Sequence, residues 1–222
     1  MEILTCSFSE MQSFLESLET NTPETAYKLE ITEIPENFVK PFRYFFQVRN
    51  DVYIDLSPTT LPDVSSMKSC FSDCISLTIA PSIPTSVTDM YGCFSGCTSL
   101  TTVPSIPVSV TNMTFCFRGC TSLTTAPSIP VSVTDMKRCF KDCTSLTTAP
   151  SIPVSVTDMT ECFGGCTSLT TAPSIPASVT DMSYCFRGCT SLTTAYKLPE
   201  TVLRKTNCFE GCTSLEDAES YY

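Results

Sequence analysis

Residues Met90 to Asn112 read M-Y-G-C-F-S-G-C-T-S-L-T-T-V-P-S-I-P-V-S-V-T-N, and this 23-residue pattern runs through most of the chain. Copies begin at Met67, Met90, Met113, Met136, Met159 and Met182, with a partial copy from Lys205. The cysteine pairs Cys70/Cys74, Cys93/Cys97, Cys116/Cys120, Cys139/Cys143, Cys162/Cys166, Cys185/Cys189 and Cys208/Cys212 keep the same step. A period of this length without insertions means units that stack into an array. One unit offers too few inward side chains to offset the entropy of ordering its own backbone, so each must share its apolar face with a neighbour. Seven rungs at a spacing of ~4.8 Å predict an array roughly 30–35 Å long.

Within a unit, Met90, Cys93, Phe94 and Cys97 fall at i, i+3, i+4 and i+7, the apolar stripe of a short helix. Asp89 precedes it where an N-cap belongs, as do Asn112, Asp135, Asp158 and Asp181. Gly96 stands near the expected helix end. Leu100 to Val103 is the candidate for a short strand. Pro104 and Pro107 follow, and because proline has no N–H to donate, the rest of the rung is expected to be extended coil. Leu100, Val103, Ile106 and Val110 supply the remaining inward side chains.

Residues 1–66 do not repeat. Ser7 or Ser9 could cap a helix over Glu10 to Leu18, with Met11, Phe14, Leu15 and Leu18 as its apolar stripe. Tyr27 to Thr32 alternates like a strand, and Val52 to Leu56 reads as another. Phe38, Phe42, Phe45 and Phe46 suggest a second helix starting at Pro41, in whose first turn proline is tolerated. The expected organisation is therefore an N-terminal α/β capping region over 1–66 and an array over 67–222, with six full rungs and a partial last one. A cap is expected because an open end would expose core side chains.

Composition narrows function. Thirteen basic against 23 acidic residues give a net charge of −10, which argues against nucleic acid and against docking on an anionic membrane. The chain has no His, so it lacks the usual general base and the commonest metal ligand. No nucleophile–base pair, phosphate loop or carboxylate pair at a defined spacing is present, so no catalysis, no cofactor and no metal are expected. Met1 to Cys6 is acidic, with no long apolar run, so neither a signal peptide nor a membrane span is expected. Three chemistries are open to the 15 cysteines. Buried free thiols fit their place on the inward stripe. Disulfides between rungs would need side chains that face one another. A metal site is poorly served by a C-x3-C spacing without His.

The copies differ at three places, the two residues after Met and the one after Phe: Tyr91, Gly92, Ser95; Thr114, Phe115, Arg118; Lys137, Arg138, Lys141; Thr160, Glu161, Gly164; Ser183, Tyr184, Arg187; Thr206, Asn207, Glu210. On a helix from Met90 these would lie opposite the inward stripe, as one outward ribbon. Drift at tolerant positions is one reading. The other is a diversified contact surface carried by Tyr91, Phe115, Arg118, Lys137, Arg138, Lys141, Glu161, Tyr184, Arg187 and Asn207, with exposed aromatics and basic groups as anchors. Its partner would be anionic near rungs three to five. The rival surface is the strand face, a lattice of Thr101, Thr102, Ser105 and their repeats that could meet a polysaccharide or another solenoid.

The string V-T-D-M-S-Y-C-F-R-G-C-T-S-L-T-T-A, Val179 to Ala195, resembles the BspA-like or Treponema-type leucine-rich repeats. Phe94, Cys97, Ser99, Leu100, Ile106, Pro107, Ser109, Val110 and Thr111 match that pattern over roughly residues 60–222, and 1–59 match loosely. Cys93 departs from it, since a small residue is usual there. The resemblance implies an α/β leucine-rich-repeat solenoid on a bacterial or protist cell surface, or secreted. It implies a non-catalytic protein that binds a protein or glycan in adhesion or host interaction. A structural spacer, or a self-assembling part of a larger surface protein, is the alternative. The absence of a secretion signal leaves a cytoplasmic location open.

Overall fold

The computed structural model describes residues 2–35, 51–216 and 221. The N-terminal part opens with strand β1 (Ile3–Ser7), a 3-10 turn (Phe8–Glu10) and helix α1 (Met11–Ser17). Strands β2 (Tyr27–Thr32), β3 (Ile54–Asp55) and β4 (Leu77–Ile79) follow, and the four make one parallel sheet in chain order. The alternation seen in the sequence over 27–32 is β2, with Leu29 and Ile31 buried. Helix α1 is one residue shorter at each end than its apolar stripe suggested, burying Met11 and Leu15 one turn apart, with Phe14 and Leu18 packed beside them. Ser7 does not cap it; its hydroxyl bonds the Glu10 carboxylate at 2.7 Å. Strand β1, which the sequence reading missed, pairs with β2 from Ile3↔Lys28 to Ser7↔Thr32. The helix expected from Pro41 lies outside the described residues.

Past β4 the sheet dwindles to single-residue parallel bridges. One row joins Ile79↔Thr102 and then Thr125↔Thr148↔Thr171↔Thr194; a second joins Ser66↔Asp89↔Asn112↔Asp135↔Asp158↔Asp181↔Arg204. The strand expected over Leu100 to Val103 is thus one bridging residue, Thr102. The prolines that follow have no N–H with which to lengthen the ladder.

The helix expected in each rung is absent, and a series of tight turns stands in its place. From Met90 to Cys97, backbone N–H groups alternate between two destinations. Those of Met90, Gly92, Phe94 and Gly96 donate to the next rung, on the carbonyls of Asn112, Thr114, Cys116 and Arg118 at 3.0, 2.9, 2.8 and 2.7 Å. Those of Cys93, Ser95 and Cys97 turn back onto Met90, Gly92 and Phe94 at 3.1–3.2 Å. An α-helix would turn every N–H past its first four back onto its own carbonyls, so those of Phe94 and Gly96 could not join rungs. Packed helices also need axes 8–10 Å apart, whereas consecutive phenylalanine rings here stack at 5.4–5.6 Å. The turns depend on left-handed backbone two and six residues after the rung's first position, as at Phe115 (φ 58°) and Gly96 (φ 77°). The aspartates expected as helix caps close turns instead: the N–H groups of Tyr91, Lys137, Thr160 and Ser183 donate to Asp89, Asp135, Asp158 and Asp181 at 2.8–3.0 Å.

One apolar interior runs unbroken from Cys6 to Leu215. Its columns of Met, Cys, Phe and Leu are fully buried through the six complete rungs, and the phenylalanine rings from Phe71 to Phe209 lie within 13° of parallel. All 15 cysteines are buried and unbridged. From the second rung on, the second cysteine of each pair has a bonding role as well as a packing one. The thiols of Cys97, Cys120, Cys143, Cys166, Cys189 and Cys212 donate to the phenylalanine carbonyl of the preceding rung at 2.9–3.1 Å. A small apolar residue with a weak donor is what that spot requires.

Candidate interaction ribbon

The residues that vary between copies are brought together along the turn side. Asn112, Asp135 and Asp158 fix where each turn starts, and at Phe115, Arg138 and Glu161 the left-handed residue two places after the rung's first position meets side chains of a neighbouring rung. Phe115, Arg138, Glu161, Tyr184 and Asn207 all occupy that position, with φ between 51° and 58°. Rung two has Gly92 there, at φ 57°. Left-handed backbone costs a residue with a Cβ on the order of 1–2 kcal/mol, so glycine is the undemanding choice at this place, and four rungs hold large side chains instead.

Those side chains engage one another. The rings of Tyr91 and Phe115 meet at 5.5 Å, and the Arg138 guanidinium lies 5.3 Å from the Phe115 ring. Arg138 Nε donates to Glu161 Oε1 at 2.8 Å, and Lys141 pairs with the other oxygen of the same carboxylate. Lys137 pairs with Asp158 at 3.1 Å, Arg187 with Glu210 at 2.8 Å, and Arg187 also lies 5.7 Å from the Tyr184 ring. Burial pushes the Glu161 carboxyl up, but hydrogen bonds from Arg138 and Lys141 and their charges outweigh it and hold the group below its usual range. The hydrogen bond and charge of Asp158 raise Lys137.

The aromatics expected to be exposed, Tyr91, Phe115 and Tyr184, are half-buried: Tyr91 and Phe115 lean on each other across rungs, and Tyr184 is covered by Arg187 of its own rung. Lys137, Arg138, Lys141 and Glu161 are half-buried too, while Arg118, Arg187 and Asn207 are exposed. Where rung five has Gly164, the missing side chain leaves a depression of about 270 Å³ between Lys141 and Glu161 on one side and Tyr184 and Arg187 on the other.

The rival face is busier than a solvated lattice. Hydroxyls of Thr101, Thr147 and Thr193 donate to threonine carbonyls of the preceding rung at 3.2–3.3 Å, and Thr111, Thr157 and Thr180 do so at 3.3–3.5 Å in a second column. This explains why exposed threonines repeat almost unchanged. Sequence reasoning overlooked a further exposed feature, the column Val108, Val131 and Val154. It could have been found by asking which apolar residue of P-S-I-P-V-S-V faces away from the interior.

Burial pushes the thiol of Cys6 up to about 11, with the Glu10 charge adding to it, and those of Cys166 and Cys208 up to about 12. Among the described residues no group of three or more His, Cys, Asp or Glu is placed to hold a metal ion. None of their helices is long and apolar enough to cross a membrane.

Parallel bridges at a fixed sequence step, a columnar interior and a side built of turns define a leucine-rich-repeat protein. A sequence profile described as "BspA type Leucine rich repeat region (6 copies)" matches residues 5–101, 65–193 and 136–220, and the chain belongs to that family. It is similar to the leucine-rich repeat protein of T. pallidum (27% identity, TM-score 0.59, covering 75% of this chain and 78% of that one). It is also similar to a leucine-rich repeat protein from Bacteroides ovatus ATCC 8483 (26% identity, TM-score 0.56, covering 68% of this chain). The match spans 42% of the length of the Bacteroides protein. No curated protein matches the sequence. Repeats of this class generally serve as protein-interaction modules.

Proposed function

We propose that this chain is a non-catalytic binding module whose turn-side ribbon contacts a partner protein or glycan. The contact residues are Tyr91, Phe115, Arg118, Lys137, Arg138, Lys141, Glu161, Tyr184, Arg187 and Asn207. One observation carries the reading. Large aromatic and charged residues stand in left-handed backbone where Gly92 shows that glycine fits. Retained backbone strain of this kind clusters at binding sites, and Tyr and Arg are the usual anchors of interfaces.

The ribbon also has the form of a contact surface. It runs over rungs two to seven, and all its side chains but Arg118 and Asn207 pair with one another or with a neighbouring carboxylate, so little of their rotamer freedom is lost on binding. Basic groups gather at Arg118, Lys137, Arg138, Lys141 and Arg187 on an otherwise acidic protein, which suits an anionic partner over rungs three to five. In this reading residues 1–66 cap an array of 23-residue rungs over 67–222, covering its first apolar rung. The module works in adhesion or host interaction at the cell surface or after secretion, needs no cofactor, and neither binds nucleic acid nor inserts in a membrane.

The test is affinity capture with the intact chain, identification of the captured protein or glycan, and titration of that purified partner. The triple variant Phe115→Ala, Arg138→Ala, Arg187→Ala should weaken binding by about a hundredfold. Unchanged affinity in a variant that keeps its fold removes the ribbon as the site.

A further inference from the structure

The proline side of the array has a feature that the ribbon leaves unused. Val108, Val131 and Val154 are 80%, 75% and 78% exposed, in consecutive rungs, in an array whose other valines at the end of the same turn are fully buried. Each sits at the tip of a turn closed by a backbone bond, Val110, Val133 and Val156 donating to Pro107, Pro130 and Pro153 at 3.1 Å. The three tips align into one apolar ridge, and Ala177 continues it as a smaller step. Beside the ridge, between successive rungs, lie depressions of about 160 Å³ and 270 Å³. They are walled by Pro127, Ile129 and Pro150 and by Pro150, Ile152 and Pro173.

We infer that this face is an interface between two copies of the chain, related by a two-fold axis near Val131, with each valine ridge seated in the depressions of the other. Three properties single out a second copy as the occupant. The ridge repeats at the rung spacing, and another copy presents ridges and depressions at the same spacing, so one seating repeats over several rungs. The face carries no charge: residues 98–111, 121–134, 144–157 and 167–180 contain no Asp, Glu, Lys or Arg. Two chains of net charge −10 can therefore meet here without opposing carboxylates, whereas elsewhere their charge keeps them apart.

The size also suits. Four rungs at ~4.8 Å and eight extended residues at ~3.3 Å give a flat footprint of roughly 500 Å². The ridged surface over it approaches the ~800 Å² per partner of a standard interface. A two-fold arrangement closes on itself, so it yields a dimer rather than a fibre. In an antiparallel pairing centred on Val131, Val108 of one copy faces Val154 of the other.

Sedimentation velocity of the intact chain over a wide concentration range tests this. Wild type should pass from monomer to dimer as concentration rises. The variant Val108→Lys, Val131→Lys, Val154→Lys should raise the dissociation constant at least about a hundredfold, since it sets lysines of both copies face to face. At concentrations where wild type is monomeric the valines are exposed, so the melting temperature should barely move there. As a second reading, Val131→Cys adds an exposed thiol to a chain whose own thiols are all buried. Mild oxidation should then link two copies through residue 131 alone. A wild type monomeric throughout overturns the inference, as does a dimer that survives the triple lysine change. A ridge that instead takes up an apolar peptide while the chain stays monomeric overturns it too.

Discussion

The two sides of each rung bury the same columns of side chains but are tied to their neighbours differently. On the turn side the backbone does the tying: every second N–H from Met90 to Gly96 reaches the next rung. On the proline side the prolines have no N–H to give, and serine takes the place of the backbone. Ser86, Ser109, Ser132 and Ser155 donate their hydroxyls to the carbonyls of Val64, Val87, Val110 and Val133 at 2.6–3.0 Å. The turn side tolerates variation in outward side chains because its bonds are main-chain and indifferent to side-chain identity. The proline side repeats almost verbatim because its bonds belong to particular residues. Sequence variation therefore concentrates where backbone bonds carry a regular share of the ties between rungs.

The turn side should break hardest at its glycines. A Cβ at Gly165 would stand 2.6 Å from Asp142 Oδ1 in the rung before, and φ there is +76°. Gly165→Ala is expected to cost about 2–3 kcal/mol, read as a lower midpoint in urea unfolding. At Gly188 φ is +74° but the nearest atom is 4.0 Å away, so Gly188→Ala should cost only the backbone strain, about 1–2 kcal/mol. Equal losses at both would mean that contact with Asp142 contributes nothing.

The proline side offers a smaller and sharper test. Ser132 donates to Val110 at 2.6 Å, while the equivalent Ser178 hydroxyl is buried without a partner among the described residues. Ser132→Ala should cost about 1 kcal/mol, and Ser178→Ala should be neutral or slightly stabilising. Thermal melts of the two variants compare them directly. If both lose stability alike, hydroxyl bonding is not what holds this side.

The period, the inward columns and the burial of the cysteines were legible because Met90, Cys93, Phe94 and Cys97 recur without slippage. The helix was misread because a run of tight turns shows the same spacing as one face of a helix. What separates them is rung spacing, which no single copy reveals. The left-handed residues were hidden for a related reason: glycine marks that backbone at Gly92 and Gly96, but Phe115 and Glu161 adopt it with no such mark. The pairing of Arg138 and Lys141 with Glu161 across 23 and 20 residues was within reach of the sequence, since opposite charges sit at matching places in adjacent copies. The ribbon's residues could be picked out from variation alone; that they lean on one another could not, because it depends on how the turns aim them.

The faintest expected effect bears on whether those charges also steady the turn side. The Glu161 carboxyl is held below its ordinary range in the folded chain by Arg138 and Lys141 against the opposing effect of burial. A depressed folded value means that the pairing stabilises the fold above the unfolded carboxyl's ordinary pKa and loses that contribution as pH falls through the folded value. Glu161→Gln should thus lower stability at neutral pH by under about 1 kcal/mol, the range of solvent-screened pairs, and the gap should close at low pH. Asp181, held down in the same way by Ser183 and Arg204 after burial is overcome, keeps its own acid sensitivity in both proteins, so only the difference between them reports on Glu161. Urea midpoints measured from neutral to acid pH give that difference. A gap that stays constant across the range would assign Glu161 a packing role only, and the charges of the ribbon would then be free of any duty in holding rungs together.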